Sequence, residues 1–309
     1  MGITVEYHRD ADADVRLYEE LYAGLPVPVP DPARDDADGP AWTVVARASD
    51  GGLLGWAEVY EPEAGAGAAG AADVQWLLVS RERERLATGS PGRHGLTDEE
   101  RETTARLLHG AARTAGAAGH AALEWVGADG DDGCVAAELG AGEAGELGSR
   151  WTTTVPLADW RPPAGLPPVT ARQVPERPDA GLLAEHARFY SEVTGRPYGP
   201  DEAAALQNDL PPVPHLTLDL LAPGGGTAAQ ATAVIAETEA AVDVIFRADT
   251  ADGDAVTGLV AELVARLRRD HPRVTLLEVR EHGDPVTAGA LAAAGLRPSG
   301  RWCRYRLAL

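Results

Sequence analysis

The order of hydrophobic patterns in this chain occurs twice, and a duplicated order restricts the fold more than any single motif does. In the first half, residues 73–79 have strand character and a helical pattern runs from 98 to 118. Residues 120–126 predict a second strand, 132–139 a short helix and 150–155 a last strand. The second half repeats the series as a strand at 243–247, a helix at 255–269, a strand at 274–279, a helix at 285–294 and a strand at 301–307. In its long helix Val256, Leu259, Val260, Leu263, Val264 and Leu267 share one face. The short helix carries Pro285 in its first turn and Gly295 at its end. A Gly-Ser-Arg-Trp at 148–151 and a Ser-Gly-Arg-Trp at 299–302 fall at the same point of the two series.

Upstream of each series lies a hairpin pattern: 42–46 turns into 53–57, and 216–221 into 232–236. Each half begins with a strand and a helix, at 3–7 and 13–23 and again at 169–173 and 180–194. This divides the chain into a first domain, 1–158, a connector, 159–168, and a second domain, 169–309. The prolines of the connector favour an extended, semi-rigid spacer. Residues 65–72 have almost no side chains to bury and read as an exposed loop.

The formal charge is -21, and all 27 cationic residues are arginine. Without lysine there can be no Schiff-base lysine and no P-loop lysine. The acidic balance argues against nucleic acid or an anionic membrane as partner and suits an amine-bearing small-molecule substrate. The Ala, Gly, Arg, Asp and Val bias fits a high-GC genome, which removes functional weight from the alanine-rich stretches. Cys134 and Cys303 set no disulfide framework. The histidines form no metal-ligand spacing, so no metal is expected. With neither a signal-peptide pattern nor an apolar run of spanning length, the expectation is a soluble, cytoplasmic monomer or homodimer.

The series of strand, helices, hairpin, strand, long helix, strand, short helix and strand resembles the GNAT acyltransferase superfamily, twice over and across nearly the whole chain. The ending from Asp284 and Pro285 to Leu291, Gly295 and Leu296 is similar to that family's last helix and its closing Leu-Gly-Phe. The resemblance implies an α/β chain of two tandem GNAT-like folds, each a mixed, mostly antiparallel sheet flanked by helices. It also implies transfer of an acyl group from acetyl-CoA or another acyl-CoA to a small amine. The alternative is a GNAT-fold protein that has lost CoA use and serves as a binding module or a repurposed enzyme.

The family holds the CoA pyrophosphate on main-chain N–H groups between the fourth strand and the long helix, where glycines permit close approach. In the second half that position, 247–255, keeps only Gly253 and carries Asp249, Asp252 and Asp254. Each carboxylate would oppose a polyanion by roughly 1 kcal/mol or more. The segment reads as an acid-capped helix start. It lacks the later Gly and terminal Glu of a calcium loop. In the first half the corresponding segment, 80–96, reads as a long loop. There Arg81, Arg83, Arg85, Gly89, Gly92, Arg93 and Gly95 are the expected cofactor-binding residues. Thr97 and Glu100 predict a capping box that would use the same amides, which leaves a solvated charged loop as the alternative.

The family's general-acid tyrosine on the last helix is replaced by Leu291, and in the first half by Ala136. Neither can protonate a thiolate. Glu124 and Glu278 occupy matching places in the fifth strands and are candidate catalytic bases, with an ion pair to arginine as the alternative. His186 and Tyr190 are four apart on one helix face. The resemblance implies that His186, Tyr190 and Tyr198 contact substrate, with Tyr190 a candidate in catalysis. Ordinary helix packing is the alternative.

Overall fold

A computed structural model describes residues 2–9, 15–25, 40–61, 70–88, 95–208 and 214–309. The first half runs β1 (Ile3–Arg9), α1 (Val15–Leu21), β2 (Trp42–Ala48), β3 (Leu53–Tyr60), β4 (Ala71–Val79), α2 (Ser80–Thr88), α3 (Asp98–Ala117), β5 (Ala122–Ala128), α4 (Asp131–Glu138) and β6 (Gly142–Thr153). The second runs β7 (Ala171–Gln173), α5 (Ala180–Thr194), α6 (Pro200–Asn208), β8 (His215–Leu221), β9 (Thr227–Ile235), β10 (Glu239–Arg247), α7 (Gly253–Asp270), β11 (Leu276–Glu281), α8 (Pro285–Ala293) and β12 (Leu296–Ala308). The helix starts follow their capping residues. Thr97 and Glu100 form the expected capping box on α3, and Asp179, Asp252 and Asp284 cap α5, α7 and α8. Gly195, at φ 72°, ends α5. No helix among the described residues is long and apolar enough to cross a membrane.

The chain forms two compact units whose boundaries fall between Leu147 and Gly148 and between Ser299 and Gly300. In the first unit the strand order is β1-β2-β3-β4-β5-β12; in the second it is β7-β8-β9-β10-β11-β6. Among the described residues β4–β5 and β10–β11 pair in parallel, and the other pairs within each unit are antiparallel.

The division at 158 and 169 keeps each final strand with its own half. The chain instead trades them. From Gly148 on, β6 lies against β11, with Trp151 opposite Val279. From Gly300 on, β12 lies against β5, with Tyr305 opposite Trp125. The two Arg-Trp segments are alike over four residues, so the sequence pattern does not say which fifth strand each one joins. Gly148 makes one of these approaches possible, because a Cβ there would sit 2.0 Å from the Glu281 carbonyl oxygen.

Each sheet is covered on both faces. In the first unit, Leu107, Leu108, Ala111 and Ala115 of α3 pack on one face with Val44, Ala57, Trp125, Cys303 and Tyr305. On the other, Leu17, Tyr18, Leu21 and Tyr22 of α1 and its end pack on Val45, Trp56 and Leu78. In the second unit the apolar face of α7 meets Leu218, Val242 and Leu277, and α5 covers the reverse with Phe189 and Tyr190. Two helices were not expected. α6 had no assigned pattern. α2 replaces the first part of the segment read as a loop, since its run of Arg and Glu has helix propensity but no apolar stripe, and Leu86 is its packing residue.

Candidate functional site

The parallel strands at the centre of each unit part company. In the first, β4 and β5 stay in register from Ala71 opposite Ala122 to Val74 opposite Trp125. There the β3–β4 register shifts, and the end of β4 continues to Val79 without a partner on β5. In the second, pairing runs from Glu239–Leu276 to Val242–Val279, and β10 shifts register before Ile245. A bulge bends one strand away from its neighbour and opens a slot between them. Main-chain groups on such a slot need other partners, and an extended ligand could supply them.

An arginine bridges each slot to the short helix that follows. At the end of β4, Arg81 reaches Asp132 of α4 at 3.4 Å and pairs with Glu82, whose carboxyl is pushed up by burial. Asp132 also accepts the Ala128 amide at 2.9 Å. Its neighbour Asp131 takes the Leu96 amide, just before α3, at 2.8 Å and Arg101 at 2.8 Å. The α3 capping box then uses the Thr97 and Glu100 amides. In the second unit Arg247 holds Asp284 at 2.9 and 3.1 Å and donates to the Ala248 and Ala251 carbonyls. The guanidinium pulls Asp284 down to about 2 against the cost of its burial. Asp252 takes the Ala255 amide at 2.9 Å. In both units carboxylates of the chain itself occupy amides that an anion would otherwise use.

Among the residues expected from the sequence, Glu124 is held by Arg306 and by Arg304 at 3.6 Å. Glu278 is buried, with Arg150 at 3.7 Å. Both therefore sit in the ion pairs that the sequence offered as the alternative to catalysis. His186, Tyr190 and Tyr198 do come together: the His186–Tyr190 and Tyr190–Tyr198 ring centroids are 5.9 and 5.8 Å apart. His186 and Tyr190 are buried, however, and the Tyr190 hydroxyl is 2.5 Å from Gln230 Oε1. Tyr198 is half-buried, with its oxygen 2.9 Å from Arg196 Nε. Arg83 lies over the Trp56 ring at 5.7 Å, and Gly95 approaches Asp131. Gly89, Gly92 and Arg93, and the side chain of Arg85, lie outside the described residues. Leu291 and Ala136, at the tyrosine positions, are buried and apolar.

The structure adds residues that the sequence did not single out. On the α1 face of the first unit, buried Glu58 accepts the Tyr22 hydroxyl at 2.6 Å and the Tyr60 hydroxyl at 3.0 Å. Burial, and then the Glu58 charge, pushes Tyr22 well above the usual phenol range. The second unit places Asp219 and Gln230 beneath His186 and Tyr190 in the same way. An acid on the inward face of an otherwise apolar strand is the signal that could have found both Glu58 and Asp219. Among the described residues, no three His, Cys, Asp or Glu are placed to hold a metal.

Neither a protein-family model nor a curated protein sequence matches the chain. Solved structures do. A tandem GNAT protein from the clavulanic acid biosynthesis pathway superposes with a TM-score of 0.58 at 16% identity, over 99% of this chain and 98% of that one. The chain has the tandem GNAT fold. A GCN5-related N-acetyltransferase from Sphaerobacter thermophilus gives 0.49 at 15%, over 99% and 95%. The C-terminal DUF2156 domain of an Agrobacterium fabrum protein named for lysylphosphatidylglycerol synthesis gives 0.52 at 10%, over 85% and 84%. At these identities the likeness is one of fold, and the chemistry has to be argued from the site.

Proposed function

We propose that the first unit is an acyltransferase moving the acyl group of an acyl-CoA, such as acetyl-CoA, to a small amine. The observation that carries this reading is the parting of β4 from β5 beyond Val74 and Trp125. A slot of that kind suits an extended, amide-bearing arm, which can pair with a strand edge. Arg83, in the helix that directly follows β4, brings positive charge there, and Arg81 would have to leave Glu82 and Asp132 to join it; a diphosphate would be held by charge-assisted hydrogen bonds. The bound cofactor would supply an activated thioester. The second unit suits the cofactor less: Asp249, Asp252 and Asp254 cluster at the start of α7, and Asp252 already takes the Ala255 amide.

On the α1 face, Glu58 is assigned the amine's proton, passed through the half-buried Tyr60 hydroxyl that already donates to it. In this reading Glu124, Glu278 and Tyr190 hold structure, because their polar atoms face Arg304, Arg306, Arg150 and Gln230.

One observation favours a second reading, in which CoA use has been lost. Asp131 on the Leu96 amide and the Thr97–Glu100 box leave few open donors at the start of α3. Titration calorimetry of the full chain with acetyl-CoA, paired with a thiol-release assay over a panel of amines, tests the two. The first reading expects binding that weakens at least about tenfold in an Arg81→Ala, Arg83→Ala double variant, since each charged contact contributes about 1.5–3 kcal/mol. Absence of binding at millimolar acetyl-CoA rejects it in favour of the second.

A further inference from the structure

The second unit holds a cavity of about 550 Å³ lined by neither β10 nor β11. Its walls are the end of the proline-rich connector, the β8–β9 turn and the start of α7. The floor is apolar and buried, made by Leu220, Ala228 and Ala251, with Pro168, Leu221 and Pro223 on the sides. This volume and this lining suit a small molecule.

The cavity is built into the fold. Val169, which follows the connector, seats on Gly258 of α7, where a Cβ would lie 2.4 Å from the valine Cγ1. The Leu221 amide donates to the Thr170 carbonyl at 2.9 Å and ties the end of β8 to the segment that follows the connector. Ala222 and Gly226, and Gly225 and Ala222, close the turn with hydrogen bonds of 2.8 Å. Walls already held in place spare a ligand the cost of ordering them.

Charge selects the ligand. Asp252 and Asp254 stand on the rim, and among the described residues no basic side chain lines the cavity. Asp252 gives one oxygen to the Ala255 amide, while Asp254 makes no hydrogen bond or ion pair among the described residues. Helix capping accounts for acids at the start of α7. It does not account for an open, mainly apolar pocket beside them. An anion would meet two carboxylates, and an inorganic cation would gain nothing from the leucine and proline walls. We propose that this cavity binds a small organic cation, an ammonium group carried on an aromatic or hydrocarbon frame, with the frame on the floor and the charge at Asp252 and Asp254. The proposal stands apart from acyl transfer in the first unit.

The test uses the full chain and three probes of similar size in titration calorimetry: benzyltrimethylammonium, benzyl alcohol and phenylacetate. The cation should bind at least about fivefold more tightly than the alcohol, the scale set by two exposed charge contacts. Phenylacetate should not bind. An Asp252→Asn, Asp254→Asn double variant keeps a helix-capping side chain and should reduce the cation's affinity to that of the alcohol. Leu221→Trp, filling the chamber from a half-buried wall, should abolish binding of both. The proposal is overturned if the cation binds no better than the alcohol to the native chain, or if either variant retains native affinity. Should a variant fail to fold, the three probes on the native chain still decide.

Discussion

His186 Nε2 lies 2.9 Å from Asp219 Oδ2, and both side chains are wholly buried. Arg172 reaches the same Asp219 oxygen at 2.8 Å, and Gln230 donates to the other at 2.8 Å. The carboxylate thus gathers groups from β7, α5 and β9 onto β8, under the helix that carries Tyr190. A buried charge is tolerated only where its lone pairs are spent in this way.

Asp219→Ala should therefore cost the second unit about 3–5 kcal/mol, the penalty for stranding buried partners of a removed charge. Asp219→Asn should cost less, since the amide oxygen still accepts. Urea unfolding followed by circular dichroism at neutral pH measures both. A loss below about 1 kcal/mol for the alanine variant would mean that water satisfies Arg172 and His186 in place of the carboxylate.

Beside Asp219, Glu185 is drawn down to about 2, first by its hydrogen bonds to Arg172 and then by Thr227, against a desolvation cost. A carboxyl lowered from 4.5 contributes stability above pH 4.5 and loses it as the pH falls through about 2. The difference in unfolding free energy between the native chain and Glu185→Gln should be roughly 1–2 kcal/mol at pH 7 after solvent screening. It should shrink below pH 4.5 and vanish near pH 2. A difference that stays constant from pH 7 to 3 would show that the pair with Arg172 is not what the variant removes.

The trade of final strands predicts an effect at long range along the chain. Deleting 300–309 takes Cys303 and Tyr305 from the first unit's core and strips β5 of its antiparallel partner. Hydrogen exchange should then show loss of protection in α3 and β5, while β8 to β11 keep theirs. The opposite pattern would contradict the pairing of β12 with β5.

What could be read beforehand divides along physical lines. The apolar face of α7 and the Thr97–Glu100 box are local patterns, and both stand as expected. His186 and Tyr190 could be grouped by their helical spacing, but their partners Asp219 and Gln230 sit on separate strands, and no periodicity links them. The α2 helix has charge without an apolar stripe, so its sequence matches a solvated loop equally well. The destination of β6 and β12 was illegible because their Arg-Trp segments are alike, and the steric need for Gly148 beside Glu281 emerges only from the packing. The carboxylates at the slots were visible as helix caps; that Asp132 and Asp284 would meet Arg81 and Arg247 depends on the packing of α4 and α8.

Two glycines of β6 separate steric need from mere composition. Gly148 has the Glu281 carbonyl oxygen 2.0 Å and the carbonyl carbon 2.9 Å from an added Cβ, and these are main-chain atoms that cannot swing aside. Gly142, in the same strand, has nothing within 4 Å. Gly148→Ala should push β6 off β11 and lower stability by about 2–4 kcal/mol, as overpacking with backbone displacement does. Gly142→Ala should be neutral or stabilising by up to about 0.5–1 kcal/mol, through the entropy it removes from the unfolded chain. Thermal unfolding of the two variants side by side checks the contrast. Equal and small effects would mean that β6 does not approach β11 as closely as the Trp151–Val279 register requires.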